Sequence, residues 1–394
     1  MYDIGLPSHR SLFQVRLHVH SLHPSIRSPS PRRRPPQLQA ERLLALQRLA
    51  GAPAGGGGGI PWYIMTSAAT RQATERFFGA HSNWGIQAGD IQFFDQGCLP
   101  CLDPGTGAML MAAPHQVATA PDGNGGLYPA LRASGALADM ARRGVECVYV
   151  YCVDNALVSV GDPDLVGFCR LHGASAGAKV VSKAHPREPV GVFCRDGATH
   201  AVKVVEYSEL PPDVADAGTF NAANIALHYF SLPFLASCCG DVPAATTGGG
   251  GPHASAVLKH HAALKKVACL PLDPAAPDAM VPVVPEKPNA LKLEAFIFDV
   301  YPLAPPAEVA LLEGVRMDDF APVKNAPGSA SDSPDTAREL VCAQARRWAQ
   351  GAGVQVAGTG LFEVSPLVSY AGEGLERACG QTWQTPCCVE PHML

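Results

Sequence analysis

The sequence predicts an α/β protein built on a doubly wound sheet. Short apolar runs at residues 60–67, 91–94 and 148–153 are predicted strands. Segments with helical periodicity separate them, among them residues 69–80 and 127–138. Strands that alternate with helices at this spacing are typical of a largely parallel sheet with helices on both faces. A chain of 394 residues is long enough for one large domain and a smaller appended part.

Composition narrows the function classes. The net charge of −5 argues against nucleic-acid binding, because a phosphate backbone attracts clustered lysine and arginine. Three arginines at 32–34 are the exception, and they lie in a low-complexity stretch. No apolar run reaches the roughly 18 residues that a membrane-spanning helix needs. We therefore expect a cytoplasmic protein without nucleic-acid or membrane partners.

Cysteine usage predicts free thiols. There are 13 cysteines, and Cys98 and Cys101 have the spacing of half a zinc site without a second such pair. Adjacent cysteines at 238–239 and 387–388 rarely form disulfides with each other. Free thiols indicate a reducing compartment, in agreement with the expected cytoplasmic location.

Polar residues follow two of the predicted strands. Gln96 comes after the strand at 91–94, and Asp154 after the strand at 148–153. Ligands of doubly wound sheets bind at the carboxyl ends of strands, so both residues are candidates for a site. Asp154 suits a magnesium ligand, but an aspartate at a strand end is more often a helix cap. Both interpretations stay open.

A glycine-rich stretch supplies a further candidate. Residues 120–128 read Ala-Pro-Asp-Gly-Asn-Gly-Gly-Leu-Tyr and precede a predicted helix. Glycines let main-chain N–H groups approach a planar or anionic ligand, and helix N-termini favour anions. The amide of Asn124 can both donate and accept. The alternative is an ordinary Asn-Gly turn.

Six motifs in one order resemble a known family. They are residues 120–128, 148–155, 188–191, 204–209, 220–224 and 323–326. The set closely resembles the eukaryotic UDP-N-acetylglucosamine/UDP-N-acetylgalactosamine pyrophosphorylases, over residues 60–376 and also 1–14. The resemblance implies a mixed sheet of the nucleotide-diphospho-sugar transferase type, followed by a small C-terminal part.

The resemblance also implies a reaction. UTP and N-acetylglucosamine 1-phosphate, or the galactosamine analogue, would give the UDP-N-acetylhexosamine and pyrophosphate. The attacking phosphate is already ionised, so alignment and charge neutralisation matter more than a general base. A divalent cation, Mg²⁺, is the implied cofactor. The implied partners are the two small-molecule substrates, and the implied assembly is a monomer or homodimer.

Ten residues match positions of the family's site. Gln96, Gly123 and Asn124 match positions around the uridine and the sugar, and Gly191, Glu206 and Asn224 match positions that hold the N-acetylhexosamine. Asp154 matches the metal ligand, and Lys324 a catalytic, phosphate-contacting lysine. Phe296 and Phe298, on a predicted strand at 292–301, match an aromatic wall near the acetyl group. For the phenylalanines the alternative is plain core, and for Lys324 a solvated surface position.

The N-terminal part departs from the family. Residues 1–14 resemble a segment that follows the family's first strand and a Gly-rich phosphate-binding loop, both absent here. We therefore expect the strand position beside 148–153 to be empty or filled by foreign residues, and the chain to be a poor enzyme. Residues 15–38 read as a low-complexity insertion, hypothetically a retained intron, that projects from the body. Sequencing the transcript would test the intron hypothesis.

Five segments follow from this comparison. They are a family-like remnant at 1–14, the insertion at 15–38, a catalytic domain at 39–330, a C-terminal part at 331–378 and an uncertain tail at 379–394. Two other functions stay open: a broader UDP-sugar pyrophosphorylase, and an inactive UDP-sugar-binding fragment.

Overall fold

The computed structural model describes most of the chain. The described residues are 35–51, 59–240, 258–271 and 281–394, together with the backbone of 12–17. Some of the predictions concern residues outside these ranges. They are the predictions for residues 1–11, for residues 18–34 with the three arginines, and for the loops at 52–58, 241–257 and 272–280. None of the helices in the described part of the chain has the length and apolar character needed to cross a bilayer.

The described part contains nine α-helices and nineteen strands. The helices are α1 Pro35–Leu49, α2 Arg71–Ala80, α3 Leu127–Ala133, α4 Ala136–Arg142, α5 Pro163–Leu171, α6 Pro212–Asp216, α7 Leu232–Cys238, α8 Arg316–Asp319 and α9 Pro334–Gly351. The strands are β1 Leu12–Leu17, β2 Trp62–Thr66, β3 Ile91–Asp95, β4 Cys98–Pro100, β5 Met111–Ala113, β6 Gln116–Val117, β7 Thr119–Pro121, β8 Cys147–Cys152, β9 Ala176–Ser182, β10 Val192–Arg195, β11 Val202–Val205, β12 Ala222–Ser231, β13 His261–Lys265, β14 Ala290–Glu294, β15 Val309–Glu313, β16 Gln355–Ala357, β17 Phe362–Val364, β18 Thr382–Gln384 and β19 Cys387–Val389.

A nine-stranded mixed sheet forms the centre of the molecule. Its strands β3, β2, β1 and β8 lie side by side and parallel. Next to β8 comes β12, which runs antiparallel to it and also pairs with β9 and β10. The parallel pair β9 and β15 and the antiparallel pair β10 and β11 complete the sheet. The sheet is therefore mixed α/β, with a parallel half and an antiparallel half.

The strand predicted at 148–153 corresponds to β8 in the centre of the sheet. β8 pairs with β1 on one side and β12 on the other, and Cys147 to Tyr151 are buried. Strands buried on both faces read as continuous apolar runs, as this one does. The prediction of a buried central strand is confirmed, except that Val153 falls in the turn after it.

The strand position next to β8 is filled, and only half of the strand that fills it comes from the foreign segment. β1 lies between β8 and β2, with Gln14 opposite Tyr149 and Trp62. Its first half belongs to the family-like segment at 1–14, and its second half to the segment at 15–38. The predicted excursion of residues 15–38 is wrong at both ends, because Val15–Leu17 are in the sheet and Pro35–Leu38 begin α1.

Helices cover both faces of the sheet. On one face Met65 and Val150 pack against α3 and α4, with Leu131 and Met140 among the buried residues. On the other face Trp62, Tyr149 and their neighbours pack against α1, α2 and α5. Side chains that alternate along β2 and β8 thus enter two different cores, because successive strand residues point to opposite faces.

Two predicted elements differ in the structure. The predicted helix at 127–138 is divided into α3 and α4 by Gly135, whose φ of +72° is left-handed. The predicted strand at 292–301 ends at Glu294, and a 3₁₀ helix follows at Ile297–Leu303. Asp299 accepts a hydrogen bond from the Phe296 N–H at 2.8 Å, which caps this helix and turns the chain out of the strand.

The C-terminal residues form a separate small core. Strands β16 and β17 pair in parallel with β18 and β19, and α9 packs on them. Phe362 and Trp383 are buried with ring centroids 5.9 Å apart. Residues 379–394, set apart in the sequence analysis as an uncertain tail, therefore complete both ladders of this unit.

A buried histidine makes stability depend on pH. His228 in β12 donates from Nδ1 to the Tyr301 hydroxyl (2.9 Å), which itself donates to the Gly177 carbonyl (2.7 Å). Its Nε2 is buried without a partner among the described groups, and burial lowers the His228 pKa from 6.5 to about 3. The unfolded chain therefore binds this proton first, so stability falls as the pH drops from 6.5 toward 3.

We expect His228→Phe to reduce this acid sensitivity. At pH 5 the histidine should cost about 2 kcal/mol of the free energy of unfolding relative to pH 7.5. Urea unfolding at both pH values would measure the difference, with exposed His185→Gln as the control. An equal pH dependence in His228→Phe and the parent would contradict the assignment.

Candidate active site

The glycine-rich turn is docked against the segment after β14. The Ala295 N–H donates to the Asp122 carbonyl and the Gly125 N–H to the Ala295 carbonyl, both at 2.8 Å. Oδ1 of Asn124 accepts from the Ile297 N–H at 2.8 Å. The turn is therefore more than an ordinary Asn-Gly turn, because three hydrogen bonds fix it to a distant part of the chain.

Gln96 lies beside this turn with its amide held in place. Its Nε2 donates to Asp122 Oδ1 at 3.2 Å and to the Gly123 carbonyl at 3.3 Å. Gln96 and Asp122 are both buried, and burial raises the pKa of Asp122 while the Gln96 amide opposes that rise. The carboxyl end of β3 and the glycine-rich turn thus form one rigid corner.

Gly123 is required in this corner. Its φ is +86°, and a Cβ there would lie 2.4 Å from the Ala295 carbonyl oxygen. We expect Gly123→Ala to cost about 1–3 kcal/mol of stability and to displace the turn. Gly135→Ala is a matched control, because Gly135 is also left-handed but has open space around its Cβ position.

Thermal unfolding and UDP binding would test this prediction together. Both variants should lose stability, whereas only Gly123→Ala should also weaken UDP binding. Equal binding by the two variants would show that the turn is not part of the nucleotide site.

A second group of predicted residues meets where β10, β11 and β12 join. The Asn224 N–H donates to the Gly191 carbonyl at 2.8 Å. A Cβ on Gly191 would lie 2.8 Å from Glu206 Oε1, so the carboxylate crosses directly over this glycine. Gly191, Glu206 and Asn224 are therefore neighbours, although up to 33 residues separate them in the chain.

A bulge in β12 fixes Asn224. The register of β12 against β9 shifts between Asn224 and Leu227, where Ala226 has a φ of +56°. Oδ1 of Asn224 accepts from the Ala226 N–H at 3.0 Å, which supports this unusual conformation for a residue with a Cβ. Bulges of this kind redirect side chains and are common beside active sites.

Asp154 and Lys324 lie together at the carboxyl end of β8. The Val323 N–H donates to the Asp154 carbonyl at 2.9 Å, which brings the next residue, Lys324, alongside. Burial raises the pKa of Asp154, and the Lys324 charge opposes that rise. The helix-cap interpretation of Asp154 is wrong, because the next helix, α5, is capped by Asp162.

The same lysine faces the second group. Burial and the charge of Glu209 raise the pKa of Glu206, while His261 and Lys324 lower it. Lys324 is exposed and its Nζ lies 6.0 Å from the centre of the Phe320 ring. It therefore lies within electrostatic reach of both Asp154 and Glu206 as a solvent-facing cation.

Asn155 holds the Asp154 loop and the Lys324 segment together. It is buried, and its Nδ2 donates to the Asp319 carbonyl at 2.7 Å. Its Oδ1 accepts from the Leu157 and Ala321 N–H groups at 3.1 and 2.9 Å. These bonds set the separation of Asp154 and Lys324 through the backbone, a role that sequence reasoning missed.

The two phenylalanines have different environments. Phe298 is 5% exposed and belongs to the core on the α3 face, as the core alternative predicted. Phe296 is half-buried, and the centre of its ring lies 5.0 Å from that of Phe298 and 4.7 Å from that of His261. Neither is on a strand, but both follow directly on the segment that anchors the glycine-rich turn.

The structure brings the ten predicted residues into three neighbouring groups, with Phe298 in the core. Sequence reasoning missed three residues that support these groups. Asp122 accepts a hydrogen bond from Gln96, and Asp299 accepts one from the Phe296 N–H. His261 contacts Glu209, in the same turn as Glu206. Only Asp122 carried a signal, since it stands inside the glycine-rich motif. Within the described ranges no three His, Cys, Asp or Glu side chains come together as a ready-made metal site.

Known proteins are similar to this chain in sequence and in fold. A family model described as UTP–glucose-1-phosphate uridylyltransferase matches residues 44–242. UDP-N-acetylglucosamine diphosphorylase 1 of Arabidopsis thaliana is 41% identical over 98% of this chain and 70% of its own length. UDP-N-acetylhexosamine pyrophosphorylase-like protein 1 of Homo sapiens is 38% identical over 99% of this chain and 73% of its own length. The chain belongs to the UDP-N-acetylhexosamine pyrophosphorylase family.

Solved structures agree with this family assignment. A structure from Entamoeba histolytica, assigned as a UDP-N-acetylglucosamine pyrophosphorylase, has a TM-score of 0.80 and 26% identity, covering 98% of this chain and 94% of that one. The UDP-N-acetylglucosamine pyrophosphorylase of Trypanosoma brucei, solved with an inhibitor, has a TM-score of 0.74 over 93% of this chain and 75% of its own. These matches confirm the resemblance to the pyrophosphorylase family that the six sequence motifs predict.

Proposed function

We propose that this protein is a uridylyltransferase that joins UTP to N-acetylglucosamine 1-phosphate or N-acetylgalactosamine 1-phosphate. An oxygen of the sugar phosphate attacks the α-phosphorus of UTP, and the bond from that phosphorus to the bridging oxygen breaks. The products are the UDP-N-acetylhexosamine and pyrophosphate. No proton has to be removed from the nucleophile, so catalysis rests on alignment and charge neutralisation.

One observation carries the site assignment. The charge of Lys324 acts both on Asp154, at the proposed phosphate end, and on Glu206, at the proposed sugar end. In this position its ammonium group can neutralise charge that builds up on the phosphates during transfer. The corner of Gln96, Gly123 and Asn124 would hold the uridine, with the Gln96 amide oriented before the nucleotide binds.

Asp154 would hold Mg²⁺. The donor set fits this ion, because magnesium is usually bound by one or two carboxylates together with substrate phosphates and water. A half-buried carboxylate at a strand end, beside a lysine, offers one such ligand. When bound, the cation would reduce the negative charge of the triphosphate. Asp154 would fix the position of the cation, and Lys324 would supply a second positive charge.

Pyrophosphate release tests the proposal. The 394-residue protein should release pyrophosphate from UTP with N-acetylglucosamine 1-phosphate at a higher kcat/KM than with glucose 1-phosphate, and should discriminate against ATP. A higher kcat/KM for glucose 1-phosphate would favour a broader UDP-sugar pyrophosphorylase. Binding of UDP-N-acetylglucosamine without pyrophosphate release would favour a sugar-nucleotide-binding protein instead.

A further inference from the structure

His261 connects two parts of the proposed sugar site. It is the first residue of β13, and its side chain is 16% exposed. Nδ1 lies 3.3 Å from Oε1 of Glu209, and Nε2 lies 3.1 and 3.2 Å from the two carboxylate oxygens of Asp299. Both ring nitrogens therefore face carboxylates that belong to different segments of the chain.

The Glu209 contact leads to Glu206. The Glu209 N–H donates to the Glu206 carbonyl at 2.9 Å, so these residues close one turn. When it is protonated, His261 also opposes the rise in the pKa of the Glu206 carboxyl through its charge. A hydrogen bond from the imidazole to Glu209 thus anchors the turn that carries Glu206.

The Asp299 contact leads to Phe296. Asp299 accepts from the Phe296 N–H at 2.8 Å, and the imidazole of His261 packs on the Phe296 ring at 4.7 Å between centroids. The Phe296 ring is therefore in contact both with the histidine ring and with Phe298, 5.0 Å away between centroids. The backbone and the ring of Phe296 are fixed through the same histidine–aspartate pair.

We infer that His261 is a positioning residue that determines specificity for the N-acetyl group. It keeps Phe296 and the Glu206 turn at a fixed separation, so that an acetamide group fits between an aromatic wall and a carboxylate. A sugar without the acetamide does not fill this space, so the fixed positions of Phe296 and the Glu206 turn add little to its affinity. The inference rests on the proposed function, since it assumes that the sugar binds beside Glu206.

Two variants separate the polar and the aromatic roles. His261→Phe keeps a ring against Phe296 and removes both polar contacts, whereas His261→Gln keeps a polar group and removes the ring. Lys265→Ala is the control, because Lys265 is exposed on the same strand. Calorimetry would measure the Kd of UDP, UDP-glucose and UDP-N-acetylglucosamine for each protein, with thermal unfolding to check the fold.

We expect both His261 variants to bind UDP-N-acetylglucosamine about tenfold more weakly and to bind UDP as the parent does. The preference over UDP-glucose should fall by a similar factor, and Lys265→Ala should match the parent. A parent that prefers UDP-N-acetylglucosamine while both variants keep that preference would overturn the inference. Equal weakening of UDP and the UDP-sugar would also overturn it, because it would indicate a general structural role. A parent that binds UDP-N-acetylglucosamine no better than UDP would instead contradict the proposed function.

Discussion

Asp154→Ala is expected to lower kcat for pyrophosphate release by about a thousandfold or more, with little change in melting temperature. The carboxylate stands at the end of the central strand β8, next to Lys324. Its removal takes away the proposed metal ligand and leaves the lysine charge without its neighbour. The fold should persist because the backbone bonds of this loop run through Asn155 and the Asp154 carbonyl, which alanine retains.

The control for this prediction is Asp164→Ala. Asp164 is exposed in the first turn of α5, a helix that supplies none of the proposed site residues. It should keep the parent activity, and a magnesium titration should show that Asp154→Ala is not rescued by excess cation. If Asp154→Ala retained most of its turnover at saturating magnesium, the carboxylate would not be the ligand.

Lys179→Met should destabilise the protein by about 3–5 kcal/mol, because it leaves two buried carboxylates without a cation. Nζ of Lys179 lies 2.5 Å from Oδ2 of Asp162 and 3.0 Å from Oδ1 of Asp319, and all three residues are buried. Asp162 caps α5, and Asp319 is followed by the segment that carries Lys324. Urea unfolding at pH 7 would measure the loss.

Two further variants test the cause of that loss. Asp162→Asn and Asp319→Asn, added to Lys179→Met, should restore at least half of the stability, because asparagine still caps a helix and carries no charge. Lys203→Met removes a partly exposed pair with Asp196 at 2.9 Å and should cost less than about 1 kcal/mol. A triple variant no more stable than Lys179→Met would show that lost packing, and not buried charge, explains the effect.

Much of the site could be predicted because its residues occur in ordered motifs. Gln96 and Asp154 are candidates because they follow apolar strands, and in the structure they come just after the ends of β3 and β8. Glu206 and Asn224 depended on the family resemblance. Nothing in their spacing indicated that a glycine, Gly191, would leave room for the carboxylate to lie over it.

The errors have local physical causes. Residues 292–301 alternate like a strand, but the carboxylate of Asp299 captures the Phe296 N–H and starts a 3₁₀ helix. His261 has no sequence signal, because its partners lie 38 and 52 residues away. The strand at Leu12–Leu17 begins in the family-like segment at 1–14 and ends in the segment at 15–38, which is predicted from the sequence to project from the fold. The low-complexity sequence of the second segment does not reveal a place in a parallel ladder.

The two short parallel ladders of the C-terminal core have a consequence for biosynthesis. β16 and β17 precede their partners β18 and β19 by about 25 residues, so neither ladder can close until the last strands have been translated. At roughly 5–20 residues per second, Trp383 is synthesised about a second or more after Phe362, and the two rings can pack on each other only once both have left the ribosome. The central sheet has all its strands by then. We therefore expect this small core to close in a later folding step than the central sheet, whose strands all precede it in the chain.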